Sequence, residues 1–112
     1  MSTAIQEVRN LTPHQVRILL GGGAFTFDPS GCARLDTETI NNGSIWGIPT
    51  ADIQLGVVGG LPPQQEGIVY IVSQIVAHAI DRDDLYYPID IARDKQGRVI
   101  GANKLARIIR RR

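Results

Sequence analysis

Six side chains in this sequence could together form a site for a small anion: His14, Ser73, Arg82, Tyr86 and Tyr87 as donors or stacking faces, with Asp84 to orient the arginine. A guanidinium such as that of Arg82 recognises phosphate or carboxylate through two parallel hydrogen bonds. Histidine changes charge near neutral pH, so His14 can donate to an oxyanion or take up a proton. Tyr86 and Tyr87 offer flat faces to a base or sugar, next to the charged run Arg82-Asp83-Asp84. Together these types fit a non-enzymatic pocket that sequesters a small anionic, nucleotide-derived ligand. Each also has a plainer role. His14 follows Pro13 in a turn and can bond a neighbouring carbonyl, Arg82 can tie off a helix with Asp83 and Asp84, and Ser73 can cap that helix.

Two other classes compete. Lys104, Arg107, Arg110, Arg111 and Arg112 put five cations in the last nine residues, which suits contact with a phosphate backbone. That makes an interaction or nucleic-acid-binding protein, working through this tail and its edge strands, the alternative. A small hydrolase with His14 as base and Asp84 as orienter ranks third. Ser73 lies between Val72 and Gln74 and lacks the G-x-S-x-G surroundings of an activated serine, so no catalytic residue is assigned. Gly21-Gly22-Gly23 lacks the spacing of a dinucleotide or P-loop fingerprint. Cys32 with His14 and His78 does not make a cysteine-rich zinc set, so neither metal nor cofactor is expected.

The elements that must position these groups are mostly strands. Ile68-Val69-Tyr70-Ile71-Val72 is β-branched or aromatic throughout, as in a strand covered on both faces. Ser73 then predicts the N-cap of a short helix to about Ile80, with Val72, Ile75, Val76 and Ala79 as its apolar stripe. Before it, strands are predicted over Ile5–Leu11, Gln15–Leu20, Ala24–Phe27 and Cys32–Thr37, the last two as a hairpin around Asp28-Pro29-Ser30-Gly31. Asn41-Asn42-Gly43 predicts a further turn, and Ile53, Leu55 and Val57 a further strand. After the helix, Ile89–Arg93 and Arg98–Ile100 pair around Asp94-Lys95-Gln96-Gly97. The predicted fold is mainly β (α+β): a small barrel or two packed sheets of short, mostly antiparallel strands, with one short helix starting near Ser73.

With 112 residues the chain reads as one compact domain over 1–103 and a basic tail over 104–112. No apolar run approaches the roughly 20 residues that span a bilayer, and the amino terminus lacks a signal-peptide layout, so a cytoplasmic protein with no membrane partner is expected. Edge strands with aliphatic alternation pair readily with another copy, so a homo-oligomer is expected too.

Four pieces of the sequence, in this order, carry a resemblance: Asn10-Leu11-Thr12-Pro13-His14 with Val16 and Ile18; Gly59-Gly60-Leu61-Pro62; Tyr70-Ile71-Val72-Ser73 with Val76-Ala77; and Arg82-Asp83-Asp84 to Pro88 with Arg93-Asp94, Gly97 and Ile100-Gly101. They resemble a family of small uncharacterised proteins of phages, prophages and cyanobacterial genomes, over most of the chain. The resemblance implies a compact, mostly β protein in a phage-like genomic setting and assigns no residue a role. The basic tail departs from it.

Overall fold

The computed structural model describes residues 4–110. In chain order the elements are β1 (Glu7–Asn10), β2 (Val16–Leu20), β3 (Gly23–Phe27), β4 (Arg34–Ile45), β5 (Ile48–Gly59), β6 (Ile68–Ile71), α1 (Gln74–Ala79), β7 (Leu85–Arg93) and β8 (Val99–Ala106). Six strands form one sheet in the order β1-β6-β7-β8-β2-β3, and β4 and β5 form a separate two-stranded sheet. The larger sheet curls until Asn10 at the end of β1 bridges Pro29 just beyond β3, so it is a nearly closed barrel. The protein is thus mainly β, with one short helix.

Pairing is antiparallel for β2–β3, β4–β5 and β7–β8, but parallel for β1–β6, β6–β7 and β2–β8. The parallel pairs follow from the covered strand: β6 is buried on both faces, and α1 carries the chain back across the sheet to start β7 beside it. Ser73 starts that helix with its hydroxyl accepting the Val76 N–H at 3.4 Å. Val76 and Ala77 face inward and join Leu11, Ala33, Tyr70, Val72 and Leu85 in the core. Ile75, expected on the buried stripe, is instead 51% exposed.

Asn10 closes the barrel. It is 1% exposed, and its amide donates to the carbonyls of His14 (2.7 Å) and Phe27 (2.9 Å), while Oδ1 accepts from the Thr12 backbone N–H (3.0 Å) and lies 2.7 Å from the Thr12 hydroxyl. Both donors and both acceptor sites of the side chain are used, which no other residue of that size achieves. The Asn-Leu-Thr-Pro-His segment is therefore a closure device.

Two expected elements fall differently. β3 pairs with β2 through the tight Gly21-Gly22 turn, and the strand after Cys32 pairs with β5, so the Ala24–Phe27/Cys32–Thr37 hairpin does not form. Asn41-Asn42-Gly43 is not a turn but a bulge within β4, tied by Asn42 to Asp52 and by Thr50 to the Asn42 carbonyl. The chain reverses at Trp46-Gly47, with φ of +51° and +77°, a type I′ turn. Pro49 fits in β5 because it stands opposite Ser44, next to the closing Ile45–Ile48 pair, where the missing N–H would face solvent.

The boundary expected at 103/104 lies inside β8, where Lys104, Leu105 and Ala106 pair with Ile89, Pro88 and Tyr87. Past the strand, Arg110 donates to the carbonyls of Ala77, His78 and Ile80 at 2.9–3.4 Å, closing the carboxyl end of α1. The segment to Arg110 is therefore part of the body, and Arg111 and Arg112 lie outside the described residues.

The β4–β5 hairpin projects from the body as an arm. The radius of gyration is 17.1 Å, against about 13 Å for a compact domain of this size. Its base is held where Leu35 and Val58 pack on the core, and where Gly60, at φ +76°, lies against the Cys32 carbonyl.

Candidate binding site

The loops at the two ends of α1 divide the sequence-predicted residues into two groups. At the amino end, Leu11 donates to the Ile71 carbonyl (2.8 Å) and Ala33 to the Leu11 carbonyl (2.9 Å). These bonds bring the β1–β2 loop, the segment before β4 and Ser73 together around a concave site of about 300 Å³. Thr12, Pro13, Arg34, Leu35, Ser73 and Ile75 are among its walls. His14 follows in the same loop; its carbonyl is held by Asn10, and its ring is exposed.

At the other end Arg82 sits on the buried carboxylate of Asp84, with Nε–Oδ1 at 2.9 Å and Nη2–Oδ2 at 2.6 Å. Its Nη1 donates to the Pro62 carbonyl at 2.9 Å, and the guanidinium lies over Tyr70, 6.0 Å from the ring centroid. The hydrogen bond to Asp84 is the main influence raising the Arg82 pKa above its ordinary value. Asp83 takes no part in the fork and accepts from Gln64 instead. With its fork closed on protein groups, Arg82 has no bidentate face left for a ligand.

Tyr86 and Tyr87 are neighbours on β7 and so point to opposite faces. Tyr87 packs on the core with its ring 6.0 Å from that of His78, and Tyr86 lies 6.0 Å from the Arg107 guanidinium. Ser73 thus meets Thr12 and Pro13 of the loop that carries His14, Arg82 and Asp84 pair beyond the other end of α1, and the six-residue helix between them is about 9 Å long, at about 1.5 Å per residue. The His14–Asp84 pair of the hydrolase reading falls on opposite sides of that division.

The sequence reading missed Arg34 and Thr12. Arg34 is exposed at the wall of the concave site, and its Nε donates to the Cys32 sulfur at 3.3 Å, which raises its pKa further. The four ion pairs among the described residues leave Arg34 out. Its guanidinium, outside those pairs, belongs to a residue that lines the site and is a cationic fork by type. Ser73 accepts the capping bond through its oxygen, which leaves the hydroxyl proton to donate. Ala33, Leu35, Pro13 and Ile75 give the site an apolar floor and rim.

Among the described residues no group of three or more His, Cys, Asp or Glu is placed to hold a metal ion, and no helix is long and apolar enough to cross a membrane. Comparison with protein-family models, with curated proteins and with solved structures finds no match, so function is argued from the site itself.

Proposed function

We propose that this chain is a non-enzymatic, phage-type binding protein that sequesters a small anionic, nucleotide-like ligand at the concave site between Thr12, Arg34 and Ser73. The observation that carries this reading is one exposed guanidinium outside the four ion pairs, beside a hydroxyl with a spare proton, above an apolar floor. An anionic phosphate or carboxylate suits the first two, and the face of a sugar or base suits the third. The site of about 300 Å³ is at the lower end of the range for small-molecule sites, which favours a mononucleotide fragment over a larger cofactor. His14, exposed in the loop that carries Thr12 and Pro13, is a candidate further donor. Of the residues first singled out, this reading keeps His14 and Ser73 and replaces Arg82 by Arg34.

Sequestration in the cytoplasm of an infected cell, as a counter-defence, fits the phage-like resemblance and a site built for holding. Titration of nucleoside mono- and diphosphates, cyclic nucleotides and ADP-ribose-type compounds into the protein tests it. One saturable ligand per chain is expected, released unchanged, with affinity lost in Arg34→Ala.

A second reading, nucleic-acid binding, is favoured by Arg107 over Tyr86, which pairs a cation with a stacking surface. It requires an affinity for single strands that falls steeply with salt.

A further inference from the structure

The β4–β5 arm exposes apolar surface that nothing in its own chain covers. Trp46 is 98% exposed at the tip, and Ile53 and Leu55 are each 57% exposed along the shaft. Ile53 and Leu55 stand opposite Thr39 and Thr37, so they share one face of the hairpin. A two-stranded ribbon with both faces in water is marginal by itself. Trp46 is also a poor turn residue: it holds φ +51°, where asparagine or glycine is at ease and a bulky side chain is strained. The indole at this strained position stands almost wholly in water.

We propose that the arm is an intermolecular clasp whose tip docks in the groove beside Arg17 of a second copy of this chain. Charge complementarity selects that occupant. Between Leu35 and Val58 the arm carries Asp36, Glu38 and Asp52 and no Lys or Arg; the whole chain carries +1, so the remainder carries +4. Arm against arm would set these carboxylates against one another, whereas arm against body joins opposite signs. The body offers a matching receptor. β2 meets β8 at the single pair Ile18↔Ala102, with Gly101 packed closely against Arg17 and Leu19. Beside that pair Val16, Pro88, Ile91 and Val99 line a mostly apolar groove of about 170 Å³, with exposed Arg17 at its edge. Ile91 and Val99 are 48% and 58% exposed, so the receptor is as uncovered as the arm. The contact is heterologous, and reciprocal exchange of arms between two copies is its smallest closed form.

Trp46 is the only tryptophan, so its fluorescence reports the docked tip directly. The full chain, Trp46→Asn and Val99→Asp are each examined by analytical ultracentrifugation and by acrylamide quenching across a dilution series. Wild type should sediment above monomer mass with a shielded, blue-shifted indole that becomes quenchable on dilution. Both variants should keep the wild-type circular dichroism, because both positions are exposed, and both should dissociate at least tenfold more readily. Mixing the two variants should restore association in part, since the mixed pair regains one of its two arm-to-groove contacts. The proposal is overturned by a wild type that stays monomeric with a fully quenchable indole, or by an oligomer that neither variant weakens. A Val99→Asp protein that assembles normally, or variants that do not complement each other, would point to arm-on-arm contact and overturn it as well.

Discussion

Arg82 and Asp84 form a bidentate pair with side chains 18% and 5% exposed, and the same guanidinium also holds the Pro62 carbonyl. One residue thus ties the start of β7 to the loop before β6. This arrangement explains why Arg82-Asp83-Asp84, which reads as an anion fork in the sequence, serves the fold instead. Removing the arginine strands a buried carboxylate, a change that costs about 3 kcal/mol or more in such settings. Arg82→Ala should lower the urea midpoint accordingly, and under folding conditions its ligand affinity should match wild type.

Asn10 predicts a second large effect. Asn10→Asp keeps the shape but replaces two donors with a carboxylate facing the His14 and Phe27 carbonyls. Each unsatisfied buried group costs about 1–3 kcal/mol, so a loss of about 3 kcal/mol or more is expected by denaturant unfolding. A loss below about 1 kcal/mol would contradict the closure role of this residue.

Gly60 predicts a third. A Cβ there would meet the Cys32 carbonyl oxygen, in a left-handed conformation that alone costs an L-residue about 1–2 kcal/mol. Gly60→Ala should therefore destabilise by about 2 kcal/mol or more, loosening the base of the arm, and amide exchange should rise first in β4 and β5.

What the sequence made legible was local. Ser73 as a cap, the β-branched run before it and the Asp94–Gly97 turn each depend on neighbours within a few residues. The arm was misread because Asn42-Gly43 has the stronger intrinsic turn preference. The structure absorbs it as a bulge held by Asp52 and Thr50, from the other strand, and moves the reversal to Trp46-Gly47. The site was half legible for the same reason. Ser73 announces itself, but its partner Arg34 arrives through Ala33 bonding to Leu11, a contact across more than twenty positions. The separation of His14 from Arg82 follows from the parallel β1-β6-β7 order, which no local pattern encodes.

A pH dependence follows from Asp94. The backbone N–H of Arg98, chiefly, with the Arg98 side chain and the Gln96 N–H, holds this carboxyl below its ordinary pKa. A depressed folded pKa means stability that is fully present above the unfolded value and lost as pH falls through the folded one. Asp94→Asn should melt lower than wild type at neutral pH and show a shallower loss in acid. Parallel melting curves from neutral to acid pH check both.

The central claim is that Arg34, and not Arg82, holds the anion. Isothermal titration of one nucleotide-type ligand into wild type and Arg34→Ala, with native mass spectrometry of each, tests it most directly. Loss of a charged hydrogen bond is worth about 1.5–3 kcal/mol, so Arg34→Ala should bind roughly 10- to 100-fold more weakly, with an unchanged melting temperature. Equal affinity in the two proteins, or no binding by wild type across the nucleotide panel together with a ligand-free native mass, would contradict it.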